Sequence, residues 1–487
     1  MVIIMAEEKN DVMLKFINRQ ITNLPLIINR KTTENEKTFK HRLEIPKLLK
    51  YVDDFLDGHS DNRFFVLTGL RGVGKTTILY QIYEYLFKEK NIPQNRMLYL
   101  PCEILNRRFR FDILDVIDEF LKYHHNSTLE TLDKEIFLFI DEAQYDNNWA
   151  IAGKHIYDIT DKVFIIFTGS PAPDLEYDGD AAGRLLKRKI PPLTYTHHLS
   201  LKYGFNNNKL SDALSELIFT GNVENAVRYE REIIPQLYNL EGYNDNDLDN
   251  YIKSGGFPFS FSQKDPDIIY EQLVEVINRI ISQDIPKIGN ISSENIINAY
   301  RTMNYIALEK PDKVSQNSIA DFLECSSTTI KNILDILEKT QILFHTQAYG
   351  SAGKRYKKTR RYFFATSSLK HALNQDLDNP IQDIKAYNGL LLENFVASAL
   401  HHLKERKKFQ IYYNPSSKNK NVDFLIQKGT NKPVPLEVGI GKKKTKQIRT
   451  SMKKYKSEYG IIVSNRTADI EKKENIIFIP PKTFAMM

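Results

Sequence analysis

Cysteine and long apolar runs are scarce in this chain of 487 residues. Its two cysteines, Cys102 and Cys325, are too few and too widely spaced for a disulfide framework or a zinc cluster, which favours a reducing compartment. The longest apolar run near the start, residues 2–5, is shorter than a signal-peptide core or a membrane span. We therefore expect a cytoplasmic protein that has no membrane partner.

What the sequence does contain is typical of a folded protein with several domains. Hydrophobic residues make up 41% of the chain and aromatic residues 11%. A chain of this length exceeds what one hydrophobic core accommodates, so we expect about three domains or more.

Positive charge is distributed unevenly along the chain. The net charge is only +7, but residues 401–460 hold sixteen Lys or Arg against four Asp or Glu, and residues 350–363 hold six against none. This distribution favours DNA as a partner of the C-terminal third. Solvated lysines that keep the protein soluble are the alternative reading.

A glycine-rich loop between an apolar strand and a helix predicts a phosphate-binding site. The apolar run 64–68 leads into Gly-x-x-x-x-Gly-Lys-Thr at residues 69–76, and a helical pattern follows. In such loops backbone N–H groups surround the phosphates, the lysine reaches the β- and γ-phosphates, and the hydroxyl binds Mg²⁺. The predicted nucleotide-binding residues are Gly69, Arg71, Gly72, Val73, Gly74, Lys75, Thr76 and Thr77, with ATP and Mg²⁺ as cofactors.

Two further apolar strands predict the remaining parts of a hydrolytic site. The strand 136–140 ends in Asp141, a predicted Mg²⁺ ligand beside Thr76, and Glu142, a predicted general base. The strand 163–168 is expected to insert between the acidic strand and the glycine-loop strand, so that Ser170 or Thr168 senses the γ-phosphate. Arg184 is a candidate arginine finger, acting in cis or on a neighbouring subunit through self-association. An ordinary surface arginine is the alternative.

These motifs together resemble one family of prokaryotic AAA-type ATPases. The family carries a loop of GxRxxGKTT form, an acidic box similar to Asp141–Gln144, a sensor strand similar to residues 167–170, and a Gly-Arg segment followed by Pro-Leu, as at residues 183–184 and 192–193. The resemblance covers most of the chain. It implies ATP binding and hydrolysis, and a C-terminal portion with a restriction-endonuclease-like core.

The middle of the chain predicts a helical region followed by a winged helix. Residues 201–300 lack a strand pattern and are expected to form a helical lid on the ATPase core. Two short amphipathic helices around residues 318–324 and 327–337 predict a helix-turn-helix, and two strands flanking a basic segment predict its wing. The second helix would expose Ser327, Thr328, Thr329 and Lys331. DNA binding is the first interpretation, and a protein-docking spacer is the second.

The last part of the chain carries three acids in the order expected of a restriction-endonuclease-like fold. Glu393 lies on a helix, and Asp423 and Glu437 lie on successive strands, so the three are a candidate second metal site. That family pattern calls for lysine two residues after the last acid, where this chain has Gly439. Lys442, Lys443 and Lys444 follow closely, and Lys442 or Lys443 could substitute; otherwise the domain could bind metal or DNA without cleaving.

The predicted fold is an α/β protein: an AAA-type P-loop NTPase core with a parallel sheet, a helical lid, a winged helix and a C-terminal restriction-endonuclease-like domain. The boundaries are a helical segment at 1–60, the ATPase core at 61–200, the lid at 201–300, the winged helix at 301–375 and the nuclease-like domain at 380–487. The predicted function is an ATPase whose nucleotide state controls a DNA-binding and nuclease-like module. The alternative is a nucleotide-gated signalling protein with slow turnover.

Overall fold

The computed structural model describes residues 2–34, 37–58, 62–170, 184–263, 265–288, 291–377, 381–415, 422–441 and 445–487. For residues 2–8, 34, 37–38, 354 and 356–357 it describes the backbone alone. The chain divides into two compact units, residues 1–191 and 192–487.

The first unit is an α/β unit in which strands alternate with helices. Its elements are α1 (Val2–Thr32), β1 (Thr33–Glu34), β2 (Lys37–Thr38), α2 (Ile45–Leu56), β3 (Phe64–Thr68), α3 (Lys75–Lys88), β4 (Met97–Pro101), α4 (Cys102–Ile104), α5 (Ile113–His125), β5 (Ile136–Asp141), α6 (Trp149–Ile159), β6 (Val163–Gly169) and β7 (Leu186–Lys189).

Its main sheet is parallel throughout, with the strand order β4-β5-β6-β3-β7. The predicted insertion of β6 between β5 and β3 is confirmed. Every residue of β3, β5 and β6 is buried, as expected for parallel strands with both faces covered. Because the strands are parallel, the residues that follow β3, β5 and β6 meet at one edge of the sheet.

The second unit begins with helices and ends with a mixed sheet. Its helices are α7 (Tyr195–Tyr203), α8 (Asn208–Thr220), α9 (Glu224–Leu237), α10 (Asp247–Ser254), α11 (Pro266–Arg279), α12 (Ile285–Ile288), α13 (Ser293–Leu308), α14 (Gln316–Leu323), α15 (Ser327–Lys339), α16 (Ala352–Lys357), α17 (Ser367–Asp376), α18 (Ile384–Arg406), α19 (Lys446–Tyr455) and α20 (Pro481–Ala485). Its strands are β8 (Leu343–Ala348), β9 (Arg361–Phe364), β10 (Gln410–Tyr413), β11 (Phe424–Gln427), β12 (Val434–Gly439), β13 (Gly460–Ser464), β14 (Glu471–Lys473) and β15 (Ile476–Ile479).

One sheet joins two regions that were predicted as separate domains. Its order is β14-β15-β13-β12-β11-β10-β8-β9, so the two strands predicted as a wing continue the C-terminal sheet through the parallel pair β8–β10. The helix-turn-helix segments are present as α14 and α15, and the short helix α16 lies between the two strands. The boundary predicted between residues 375 and 380 therefore does not separate two sheets.

The helices predicted as a lid belong to the core of the second unit. Leu214 and Leu217 of α8 lie in the same hydrophobic cluster as Leu436 and Ile461 of the C-terminal sheet. The Tyr459 hydroxyl donates to the carbonyl of Ile218 at 2.8 Å. The prediction of a lid on the ATPase core is thus corrected for α8, because its apolar face is buried against the C-terminal sheet.

Among the described residues, no helix combines the length and the apolar character that a bilayer crossing requires.

Candidate nucleotide-binding site

The glycine-rich loop of residues 69–74 connects β3 to α3 in a conformation that requires its glycines. Gly72 and Gly74 have φ of 78° and 96°, in the region that favours glycine. A Cβ atom on Gly69 would lie 2.2 Å from the carbonyl oxygen of Ile190. Gly74 also precedes α3 without any side-chain cap, so the first N–H groups of this helix are available to an anion.

Lys75 lies along the inside of the loop. Its side chain is 4% exposed, and Nζ donates to the carbonyls of Gly69 at 2.9 Å and Leu70 at 3.0 Å. Arg71, Thr76 and Thr77 are partly buried around the same loop. A buried ammonium group that donates to neutral carbonyls is well placed to bind a phosphate group in their stead.

Asp141, at the end of β5, accepts hydrogen bonds from three hydroxyl groups. Thr76 donates at 2.9 Å, Tyr99 donates at 2.8 Å, and Thr168 donates to the other carboxylate oxygen. Burial, followed by the neighbouring Glu142 carboxylate, raises the pKa of Asp141, and the three hydroxyl donors oppose that shift.

Glu142 is fixed by its backbone and by its side chain. It adopts a left-handed conformation with φ of 54°, which is uncommon for a residue other than glycine. Its N–H donates to the Thr168 hydroxyl at 3.0 Å. One carboxylate oxygen accepts from Nε2 of Gln144 at 2.5 Å and lies 4.0 Å from the guanidinium group of Arg71. Contacts on both sides therefore hold a strained residue at the strand end.

These oxygen atoms suit a magnesium ion that accompanies a nucleotide. The Thr76 hydroxyl and the Asp141 carboxylate lie within hydrogen-bonding distance of each other at the carboxyl edge of the sheet. Mg²⁺ prefers such ligands and is usually held by one or two carboxylates together with substrate phosphates. A cation would also offset the cost of burying Asp141, which is 6% exposed.

The structure distinguishes the two candidate sensor residues. Thr168 is fully buried and joins Asp141 to the backbone of Glu142. Ser170 is also buried, but its hydroxyl makes no hydrogen bond among the described residues. Residues 171–183, including Gly183 of the predicted finger segment, lie outside the described residues.

Arg184 is placed away from the loop within its own unit. Leu186 pairs with Phe65 and Lys189 with Thr68, so Arg184 precedes the amino end of β7, at the opposite edge of the sheet from the glycine-rich loop. Its Nε atom lies 2.6 Å from the carboxylate of Asp158. Within its own unit Arg184 therefore does not face the glycine-rich loop, and its role as an arginine finger stays a prediction.

Two residues of this site were missed in the sequence. Tyr99, on β4, donates to Asp141, and its position two residues before the end of a strand carried no recognisable motif. Arg42, before α2, donates to the carbonyl of Val73 in the glycine-rich loop at 2.5 Å. Its contacts with the loop and with Pro191 are to backbone carbonyls, which leave no signal in a sequence.

The three C-terminal acids are only partly brought together. Asp423 directly precedes β11, and its carboxylate accepts from the N–H of Val438 on β12 at 2.6 Å. Glu437, also on β12, is 1% exposed. Burial, then the nearby Asp423 carboxylate, raises the pKa of Glu393 to about 8.

This arrangement does not match the predicted second metal site. Within the described ranges, no group of three or more His, Cys, Asp or Glu side chains is placed to hold a metal ion. Gly439 ends β12, and Lys442, Lys443 and Lys444 lie outside the described residues.

The predicted DNA-facing helix has the expected start and the expected exposure. The Ser326 hydroxyl accepts from the N–H of Thr329 at 3.0 Å and caps α15. Ser327, Thr328 and Lys331 are exposed, and Thr329 is partly buried. One wing charge is neutralised internally, because Arg360 lies 3.2 Å from the carboxylates of Asp335 and Glu338.

Comparison with known families defines the class of the first unit. Residues 61–199 match the model of an AAA domain. Residues 245–380 and 388–484 match two domains of unknown function, DUF8612 and DUF4143. The chain is therefore an AAA-domain protein that carries the residues of a P-loop, followed by two domains without an assigned function.

A full-length relative places the chain in a particular family. The uncharacterized protein MJ1637 of Methanocaldococcus jannaschii is 30% identical over 472 residues, which cover 97% of this chain and 93% of the relative. The chain belongs to the same family as MJ1637.

Similarity to solved structures is weak. Aeropyrum pernix ORC1, solved in complex with DNA, is 14% identical, with a TM-score of 0.30, and covers 71% of this chain and 96% of its own. The Thermotoga maritima RuvB Holliday junction branch migration motor is 15% identical, with a TM-score of 0.26, and covers 66% of this chain and 93% of its own. AMPPCP-bound DnaA from Aquifex aeolicus is 16% identical, with a TM-score of 0.24, and the match covers 62% of this chain and 90% of the DnaA chain.

Proposed function

We propose that this protein binds and hydrolyses ATP with Mg²⁺, and that its nucleotide state controls a DNA-binding module in the C-terminal unit. The observation that carries the proposal is the arrangement of Asp141, Thr76 and Thr168 beside the glycine-rich loop. A chance glycine turn would not place a buried carboxylate and its hydroxyl donors at that edge of a parallel sheet.

In this proposal each residue at the loop has a separate task. Backbone N–H groups of the loop and Lys75 bind the phosphates, and Thr76 and Asp141 hold Mg²⁺. When bound, the ion neutralises charge on the phosphate oxygens. Glu142 accepts a proton from the attacking water at its carboxylate, and Thr168 keeps Asp141 and Glu142 in register. Self-association that presents Arg184 to a neighbouring copy would add an arginine finger.

Hydrolysis requires Glu142 to exchange its present partners for water. Its carboxylate accepts from Gln144 and lies near the Arg71 guanidinium group. A phosphate group near Arg71 would compete for that cation and so release the carboxylate. Nucleotide binding thereby makes the base available where water must be activated.

For the C-terminal unit we propose DNA binding without cleavage. Exposed Ser327, Thr328 and Lys331 at the start of α15 support contacts to DNA, as do the basic residues of α19. The glycine at position 439, where the restriction-endonuclease-like pattern has lysine, argues against an active nuclease.

The central test is ATP turnover with and without duplex DNA. Wild type should hydrolyse ATP, and Lys75→Ala should lose nucleotide binding. The matched control is Lys88→Ala, which removes an exposed lysine from the other end of the same helix and should leave binding unchanged. Unchanged nucleotide affinity in Lys75→Ala would refute the assignment of the glycine-rich loop as the nucleotide-binding site. Slow ATP turnover that does not change when duplex DNA is added would support the alternative function, a nucleotide-gated signalling protein.

DNA binding has its own pair of variants. Lys331→Glu should weaken binding to duplex DNA and lower its salt dependence, whereas Lys339→Glu, at the far end of the same helix, should have a smaller effect. Equal effects of the two substitutions would contradict the proposed orientation of α15. Incubation of plasmid with Mg²⁺ or Mn²⁺, with Glu437→Ala as the control, tests cleavage directly, and we expect none.

A further inference from the structure

Arg42 is a buried cation that links the N-terminal segment to the glycine-rich loop. Its side chain is 4% exposed. One terminal nitrogen donates to the carbonyl of Val73 at 2.5 Å, and the other donates to the carbonyl of Pro191 at 3.0 Å. The guanidinium group also forms two hydrogen bonds to the Glu44 carboxylate, at 3.1 and 3.0 Å. Glu44 offsets the cost of burying the charge and fixes the plane of the group.

The contact with Val73 determines the direction of a neighbouring N–H group. No described peptide bond is cis. In a trans peptide the carbonyl and the following N–H point in opposite directions. When Arg42 holds the Val73 carbonyl on one side, the N–H of Gly74 is held on the other. Gly74 is conformationally free, so its peptide plane needs an external restraint to keep one orientation.

The contact with Pro191 ties the loop to the residues that follow β7. The N–H of Ile190 donates to the carbonyl of Thr68 at 2.6 Å, and the Ile190 carbonyl occupies the space beside Gly69. The same short stretch therefore restrains the start of the loop and anchors Arg42. Arg42 extends that restraint to the far end of the loop at Val73.

A second contact holds the N-terminal segment itself in place. Nε2 of Gln81, on α3, lies 3.3 Å from the carbonyls of both Phe39 and Lys40. The segment that carries Arg42 is thus fixed to the helix that follows the loop. This arrangement positions the guanidinium group independently of any nucleotide.

We propose that Arg42 is a positioning residue for nucleotide phosphate, because it orients the Val73–Gly74 peptide so that the Gly74 N–H points into the loop. The proposal rests on the nucleotide-binding function proposed above. Arginine is needed because a single guanidinium group donates in three directions at once, to Val73, Pro191 and Glu44. Lysine donates from a single nitrogen and cannot reproduce four hydrogen bonds that start from three separate nitrogens.

The test compares Arg42→Lys with Arg63→Lys. Arg63 is also buried, at 6% exposed, and donates to the carbonyls of Tyr157 and Thr160, but it precedes β3 at the edge of the sheet away from the loop. Affinity for a fluorescent ADP analogue and the melting temperature of the full-length protein are measured for each variant. Arg42→Lys should bind the analogue about tenfold more weakly, as expected when a charge-assisted hydrogen bond is lost, and should raise KM for ATP more than it lowers kcat. Arg63→Lys should lose stability but not affinity.

A second variant covers the case in which Arg42→Lys does not fold. Glu44→Gln keeps Arg42 and weakens its anchor, and we expect about a threefold loss of affinity from one weakened charge-assisted contact. Wild-type affinity in both Arg42→Lys and Glu44→Gln would overturn the proposal. Equal loss of affinity in Arg42→Lys and Arg63→Lys, with equal loss of stability, would also overturn it, since Arg42 would then be merely structural. A wild-type protein that binds no nucleotide would instead refute the proposed function.

Discussion

Replacing Thr168 with valine removes one hydroxyl group from the centre of the candidate site and changes the shape of the side chain little. Two interactions disappear: the hydrogen bond donated to Asp141 and the one accepted from the N–H of Glu142 at 3.0 Å. Thr168 is fully buried, so water cannot replace the hydroxyl without rearrangement. The N–H of Glu142, a residue that already has a left-handed backbone, is left unsatisfied.

The expected loss of stability follows from these two interactions. An unsatisfied buried N–H costs about 1–3 kcal/mol, and a hydrogen bond to a charged group contributes about 1.5–3 kcal/mol. Because Tyr99 and Thr76 still donate to Asp141, we expect a total near the lower end of the summed range, about 2.5–4 kcal/mol. For a unit of this size each kcal/mol shifts the melting temperature by about 2–4 °C.

Thr160→Val is the matched control. Its hydroxyl also accepts from a backbone N–H, that of Lys162 at 3.2 Å, and the residue is 8% exposed at the opposite edge of the sheet. Calorimetry of the nucleotide-free proteins and steady-state ATPase assays should show a larger stability loss in Thr168→Val, with kcat reduced at least about tenfold. A variant with wild-type kcat and no greater loss of stability than Thr160→Val would refute this account of Thr168.

Three further outcomes are expected. Glu142→Gln should retain nucleotide affinity and lose turnover, since an amide cannot accept the proton from water; binding assays beside ATPase assays check this, and a fully active variant would refute the base role. Tyr99→Phe should weaken Mg²⁺-dependent ATP binding by a few-fold, whereas Tyr80→Phe, which removes only a hydroxyl 3.3 Å from Tyr99, should not; titration calorimetry distinguishes the two. Burial, then the charge of Lys253, lowers the pKa of His371 to about 4, below its value in the unfolded chain, so stability should fall as the pH drops from about 6.5 to about 4. His371→Gln should flatten that part of the stability curve measured by denaturant unfolding, and an unchanged pH dependence would contradict the assignment.

The local chemistry of the site was predictable because it is encoded in contiguous residues. The spacing of glycines in residues 69–76 predicts the phosphate-binding loop. The position of Asp141 at the end of an apolar strand predicts the acidic residue of the site. Which of Thr168 and Ser170 contacts Asp141 was not predictable from the sequence, because that contact depends on strand register. Ile140 pairs with Phe167, which brings the next residue, Thr168, beside Asp141.

Hydrogen-bond partners that lie far apart in the chain could not be predicted from sequence patterns either. Arg42 bonds to carbonyls 31 and 149 residues away, and a carbonyl has no residue-specific signal. Arg184 had the expected identity and spacing, yet the parallel pairing of β7 with β3 places it at the far edge of the sheet. A pattern indicates that a side chain is capable of a role, and topology decides whether it reaches the site.

The corrected position of the predicted lid changes where the C-terminal unit begins. Amphipathic periodicity shows that a helix buries one face, but not which surface covers it. For α9 that surface is identified by Glu230, which is 1% exposed and accepts from the N–H of Ile470 at 2.7 Å and from the hydroxyl of Thr483. An unpaired carboxylate there would be costly, so α9 and the segment that contains Ile470 and Thr483 stabilise each other. The predicted boundary at residue 300 therefore divides a single hydrophobic core. Substitutions in α8 or α9 should be interpreted first as perturbations of the C-terminal sheet.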